Sequence, residues 1–143
     1  MRKPFTLIAA VVASGVFACA PAIAADLSHA AFVKAADAIC TKGDAQLNAM
    51  FTKAGITSKP TAAQLVKVAP TAVSILNGQV KSIGKLKAPK ADTAQVAKTL
   101  TALKVAIAAL GKNPSLMVQT DKLFAETNAS AKALGLTVCG ASG

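Results

Sequence analysis

The sequence predicts an all-α fold, an up-down-up-down antiparallel four-helix bundle tied by one disulfide. Apolar residues recur at helical spacing in four blocks with recognisable ends, and no stretch alternates apolar and polar as a half-buried strand would. Two cysteines, Cys40 and Cys139, stand far apart downstream of an export signal, and they are the thiols left to pair in an oxidising compartment.

The signal comes first. Met1-Arg2-Lys3 is followed by an apolar run from Phe5 to Cys19 and by Pro21-Ala22-Ile23-Ala24-Ala25, so residues 1–24 read as a secretory signal peptide and 25–143 as one helical domain. The run carries Ser14 and Gly15 before Pro21 ends it and is short for a span, which needs roughly 20 apolar residues; no transmembrane span is expected in the mature chain. Val16-Phe17-Ala18-Cys19 loosely resembles a lipobox, which makes lipidation of Cys19 the alternative to cleavage after Ala24 or Ala25. On either route Cys19 is removed or modified.

Ser28 is placed to cap a first helix whose stripe holds Phe32, Ala36, Ile39, Leu47, Met50 and Ala54, and Gly55 suits the left-handed position past its end. Gly43 should weaken its middle. Thr61 and Gln64 form a capping-box pattern for a second helix with Leu65, Val68, Ala72, Leu76, Val80 and Ile83 on one face. Pro70 should kink that helix or mark its start, and Leu86-Lys87-Ala88-Pro89 should end it. Asp92 and Gln95 repeat the acid-then-amide cap before a third helix, where Val96, Leu100, Leu103, Ile107 and Leu110 give the clearest periodicity in the chain. Asn113-Pro114 then opens a fourth helix carrying Leu116, Thr120, Leu123, Phe124, Thr127, Ala131 and Leu134, closed by Gly135. Bundle topology brings the tail after Gly135 back along the first helix, where Cys40 lies about three turns in.

Composition narrows function more by exclusion than by indication. The domain after the signal holds fourteen Lys and no Arg against six acids, a net charge of +8, and its aromatics are Phe32, Phe51 and Phe124. Lysine is a hydrated point charge without the planar fork that reads guanine, and no aromatic platform stands ready for bases, so sequence-specific nucleic-acid recognition is not expected. Lys81, Lys85, Lys87 and Lys90 crowd the turn between the second and third helices, with Lys34 and Lys132 brought to the same end. They make a basic pole suited to anionic polymers or lipid headgroups, or else they solvate a surface.

Other sites fare poorly. Cys40 and Cys139 lack Cys-x-x-Cys spacing, so a structural bond is expected rather than redox chemistry. His29 is the single histidine, there is no Cys-x-x-Cys-His, and no metal or cofactor set is expected. Asp37 and Asp44 share a helix face two turns apart, roughly 10.5 Å along the axis, and read as solvated acids. Asn128-Ala129-Ser130 matches a glycosylation sequon inside a helix and is taken as chance.

Ala36-Asp37-Ala38-Ile39-Cys40 and Ala133-Leu134-Gly135-Leu136-Thr137-Val138-Cys139-Gly140 resemble the corresponding segments of small secreted or lipid-anchored helical proteins of bacteria, common in actinobacteria, as does Ala88-Pro89 between helices two and three. The resemblance implies a disulfide-tied helical bundle in the cell envelope and no activity. The expectation is a non-enzymatic envelope protein that binds anionic surfaces, with a small periplasmic carrier of a haem-like cofactor or another ligand as the alternative. Oligomeric state is not readable from these residues.

Overall fold

The structure, a computed structural model, describes residues 26–56 and 60–141. The signal at 1–24, its cleavage site and Cys19 lie outside the described residues. Among those described there are helices and turns and no strand, and Cys40 is bonded to Cys139.

Helix α1 runs His29–Lys53 and starts as its residues dictate: Ser28 is extended, and its hydroxyl accepts from the Ala31 N–H at 3.2 Å. It ends at Gly55, whose φ of +67° lets the chain reverse so that Gly55 N–H reaches Thr52 and Ile56 N–H reaches Phe51. Helix α2, Ala62–Ile83, opens with both halves of the capping box in place, Gln64 N–H on the Thr61 hydroxyl and Thr61 N–H on the Gln64 carbonyl oxygen. Pro70 neither starts nor ends this helix, which continues through it. A proline removes one backbone donor, and α2 supplies the rest of its stabilisation by burying Leu65, Val68, Ala69, Ala72, Val80 and Ile83.

Helix α3 spans Thr93–Lys112 after a single 3-10 turn, Lys90–Asp92. Here the expected cap does not form. The Asp92 carboxylate instead pairs with His29 Nδ1 at 2.7 Å, and Gln95 donates from Nε2 to the Ser130 hydroxyl at 3.0 Å, so both side chains serve contacts between helices. The fourth helix is also not continuous. Asn113 holds the Ser115 N–H, but the chain then forms a 3-10 segment, Pro114–Gln119, a one-turn helix α4, Thr120–Leu123, and finally α5, Ala125–Ala133. The β-branched Val118 holds α-helix weakly, and in the 3-10 segment Met117 is buried while Val118 stays exposed. Gly135, at φ +77°, repeats the ending of α1: Leu136 N–H returns to Ala131 and the Leu136 side chain is buried.

Helix α1 packs on α2, α2 on α3, and α3 on α5. The last seam is polar within: the Thr99 and Ser130 hydroxyls meet at 2.7 Å, both buried, and Thr99 also donates to the Gln95 carbonyl. Close packing of α1 on α2 depends on Gly43, because a Cβ there would collide with the Gln79 amide, which donates to the Cys40 carbonyl at 3.4 Å. By contrast the backbones of α1 and α5 hardly approach one another. The apolar core forms two clusters. One cluster gathers Phe32, Ala36, Cys40, Ile83, Val96 and Leu134; the other gathers Leu65, Val68, Ala69, Ala72, Leu110 and Met117.

Candidate ligand cavity

The space left between α1 and α5 is a cavity of about 460 Å³, floored by α2 and α3. Its inner wall is apolar: Phe32, Leu76, Ile83, Leu100, Leu103 and Phe124 face it, with Phe51 and Leu47 toward the C-terminal end of α1. All three phenylalanines of the described chain line it, a placement that periodicity showed as apolar but not as cavity-facing. A volume of this size falls within the roughly 300–1,000 Å³ typical of small-molecule sites.

Among the lining residues only Asp44, Asn48 and Ala141 are exposed, so the cavity meets solvent beside the middle of α1 and the end of the tail. Asp44 falls in step with Ala36, Cys40, Leu47 and Phe51 along the inward stripe of α1, an acid at an apolar register that the sequence does display. Although its outer edge is wet, burial at the cavity wall pushes the Asp44 carboxyl above the usual carboxylate value. Asp37, two turns earlier, has the opposite fate.

The tail closes the cavity on one side with Leu136, Val138 and Cys139, and two devices fix it to α1. The first is the Cys40–Cys139 bond, with Cα atoms 5.3 Å apart and 99 residues between them in sequence. The second is Asp37, which is half-buried and not the solvated acid its register suggested. One carboxylate oxygen accepts from Thr137 N–H at 2.9 Å and the Thr137 hydroxyl at 2.8 Å; the other accepts from Val138 N–H at 3.0 Å and Cys139 N–H at 3.1 Å. Burial alone would raise this carboxyl, but the bonds from Thr137, Cys139 and Val138 outweigh it and hold Asp37 below its ordinary value. The segments around Cys40 and Cys139 are therefore joined by a carboxylate clamp as well as a disulfide.

The predicted basic pole lies elsewhere. Lys81, Lys85, Lys87 and Lys90 are exposed around the α2–α3 turn, and Leu27 N–H bonds to the Lys87 carbonyl at 3.0 Å, bringing the start of α1 to that end. The nearest acid in sequence, Asp92, is engaged by His29. His29 is exposed and absent from the cavity wall, and among the described residues no three His, Cys, Asp or Glu side chains gather as a metal site. Residues 90–112 are long and apolar enough to cross a membrane by length and composition alone; in the fold α3 packs on α2 and α5. No protein-family model, curated protein or solved structure matches this chain.

Proposed function

We propose that this chain is an exported, non-enzymatic carrier that binds a small molecule with an apolar body in the cavity between α1 and α5. The carrying observation is the cavity itself: a domain this small ordinarily fills its core, and here three phenylalanines, with Leu47, Leu76, Leu100 and Leu103 beside them, line open space instead. The carrier half of the sequence-based alternative gains support from this wall, and the haem half does not, because the one imidazole is engaged with Asp92 outside it. In this reading the helices run up-down-up-down, the signal at residues 1–24 is cleaved, and the resemblance to secreted bacterial helical proteins describes the compartment. Titration of the mature protein with N-phenyl-1-naphthylamine, a neutral dye that brightens in apolar surroundings, tests it. One saturable site is expected, weakened by Leu103→Trp, whose indole intrudes into the cavity; absence of that site refutes the carrier reading.

A second, compatible role rests on the four exposed lysines within ten residues of the α2–α3 turn. Their summed field would hold the carrier near anionic polymers or lipid headgroups, with each lysine contributing on the order of 1 kcal/mol at an anionic membrane. Replacing Lys81, Lys85, Lys87 and Lys90 together by Gln should abolish retention on anionic vesicles at low salt. Unchanged retention, with helicity preserved, would reduce these lysines to a solvated surface.

A further inference from the structure

We propose that the cavity selects a cationic amphiphile: an alkyl or arylalkyl amine whose ammonium group rests on Asp44 at the mouth while its apolar body extends inward. This rests on the carrier reading and adds the chemistry of the head group. The wall dictates where a polar head can go. Deep inside, Gln79 gives one N–H to the Cys40 carbonyl and Thr99 is bonded to Gln95 and Ser130, so the uncharged Gln79 amide and Thr127 hydroxyl are the polar groups left among apolar side chains. At the mouth the situation reverses. Among the described residues the side chains of Asp44, Asn48 and Asn128 make no hydrogen bond or ion pair within the protein, and all three line the cavity.

Charge gives the sign. The chain carries a net +10, yet no lysine lines this cavity, and Asp44 is its one ionisable wall residue other than the bonded cysteines. A partly desolvated carboxylate without a cation is an arrangement that an ammonium group would relieve, and the upward push on Asp44 accords with its uncompensated place at the mouth. The amide oxygens of Asn48 and Asn128 can accept the remaining ammonium hydrogens. A fatty acid would meet repulsion at the same point. The cavity and the lysine pole thus prefer opposite charges, and a single anionic ligand does not satisfy both.

Displacement of N-phenyl-1-naphthylamine from the disulfide-bonded mature protein at neutral pH, by dodecylamine, dodecanol and dodecanoate below their micelle concentrations, tests this directly. The chain is constant across the three, so differences report the head group. Dodecylamine should displace the dye at about fivefold lower concentration than dodecanol, the order a partly desolvated ion pair supports, with dodecanoate weakest. Asp44→Asn should bring the amine and the alcohol to equal displacement, each measured against dye bound to that same variant; because Asp44 is exposed and unpaired, this variant folds normally. As an independent readout, the carboxyl carbon resonance of Asp44 should titrate at lower pH once dodecylamine is bound. Equal displacement by amine and alcohol, or a preference that survives Asp44→Asn, overturns the proposal while leaving the carrier reading intact. Failure of the dye to bind overturns both.

Discussion

Asp37→Asn is the sharpest single test of how the tail is held. The substitution preserves size and replaces one carboxylate oxygen by an NH2 group. Because each oxygen now accepts two bonds, whichever position the NH2 takes leaves two donors facing a donor: either Thr137 N–H and hydroxyl, or Val138 and Cys139 N–H. Hydrogen bonds to charged groups contribute about 1.5–3 kcal/mol each, but Thr137 is exposed and water replaces part of what is lost, so a total near 2 kcal/mol is expected. For a domain of this size that lowers the melting temperature by about 8 °C at pH 7. The pH dependence has a definite sign. Asp37 is held below its ordinary pKa, so its contribution is fully present above the ordinary value of 3.8 and is lost as pH falls through the lower folded value. Melting curves followed by circular dichroism should therefore differ by a constant amount near neutrality and converge in strong acid. A melting temperature within about 1 °C of the parent at pH 7, or a difference that widens in acid, would refute the clamp as a stabilising element.

Removing the disulfide with Cys40→Ser and Cys139→Ser should cost up to about 4.7 kcal/mol in the chain-entropy account for a loop of this length, read as a shift in denaturation midpoint. In that background Asp37→Asn should free the tail before the domain unfolds, seen as loss of amide-exchange protection at residues 137–139 alone. Gly78 sits exposed in α2 with open space where a Cβ would point, so Gly78→Ala should stabilise by about 0.5–1 kcal/mol in thermal melts. Asp44 carries the opposite linkage to Asp37: its raised pKa means that the charged form costs stability at neutral pH, and Asp44→Asn should raise the midpoint there, with the gain shrinking as pH falls through the raised value. Intact mass of the exported protein should place its first residue at Ala25 or Asp26; a lipidated Cys19 would contradict this.

The start and stop of α1 and the start of α2 were legible because each is decided by residues within one turn of the boundary, whereas α2 stops at Ile83, capped by Gly84, ahead of the expected Leu86-Lys87-Ala88-Pro89. Ser28, Thr61 with Gln64, and Gly55 act locally, and so does Gly135 at the close of α5. Cysteine arithmetic likewise needed no geometry. What escaped the sequence depends on partners far along the chain. Asp92 and Gln95 have the spacing of a cap, and nothing local reveals that His29 and Ser130 claim them. Asp37 reads as any acid on a helix until the tail arrives to use it. Gly43 reads as a flaw in α1, whereas it is the gap into which Gln79 packs. The cavity was invisible for a further reason: apolar periodicity reports which faces turn inward, and says nothing of whether opposing faces meet.

Pairing residue 40 with residue 139 has a consequence for the order in which this chain can mature. A polypeptide is made, and threaded across a membrane, from its N-terminus, so Cys40 emerges while nearly all of the remaining helices are still to come. Its partner arrives 99 residues later. On the proposed export route Cys40 is during that interval a lone thiol on an incomplete domain, open to pairing with other chains. Asp37 shortens the hazard at its end: by gathering the N–H groups of Thr137, Val138 and Cys139, it delivers the late sulfur to the early one. Bond formation then becomes a mark that the tail has arrived, since a chain truncated between residues 40 and 139 lacks the partner sulfur.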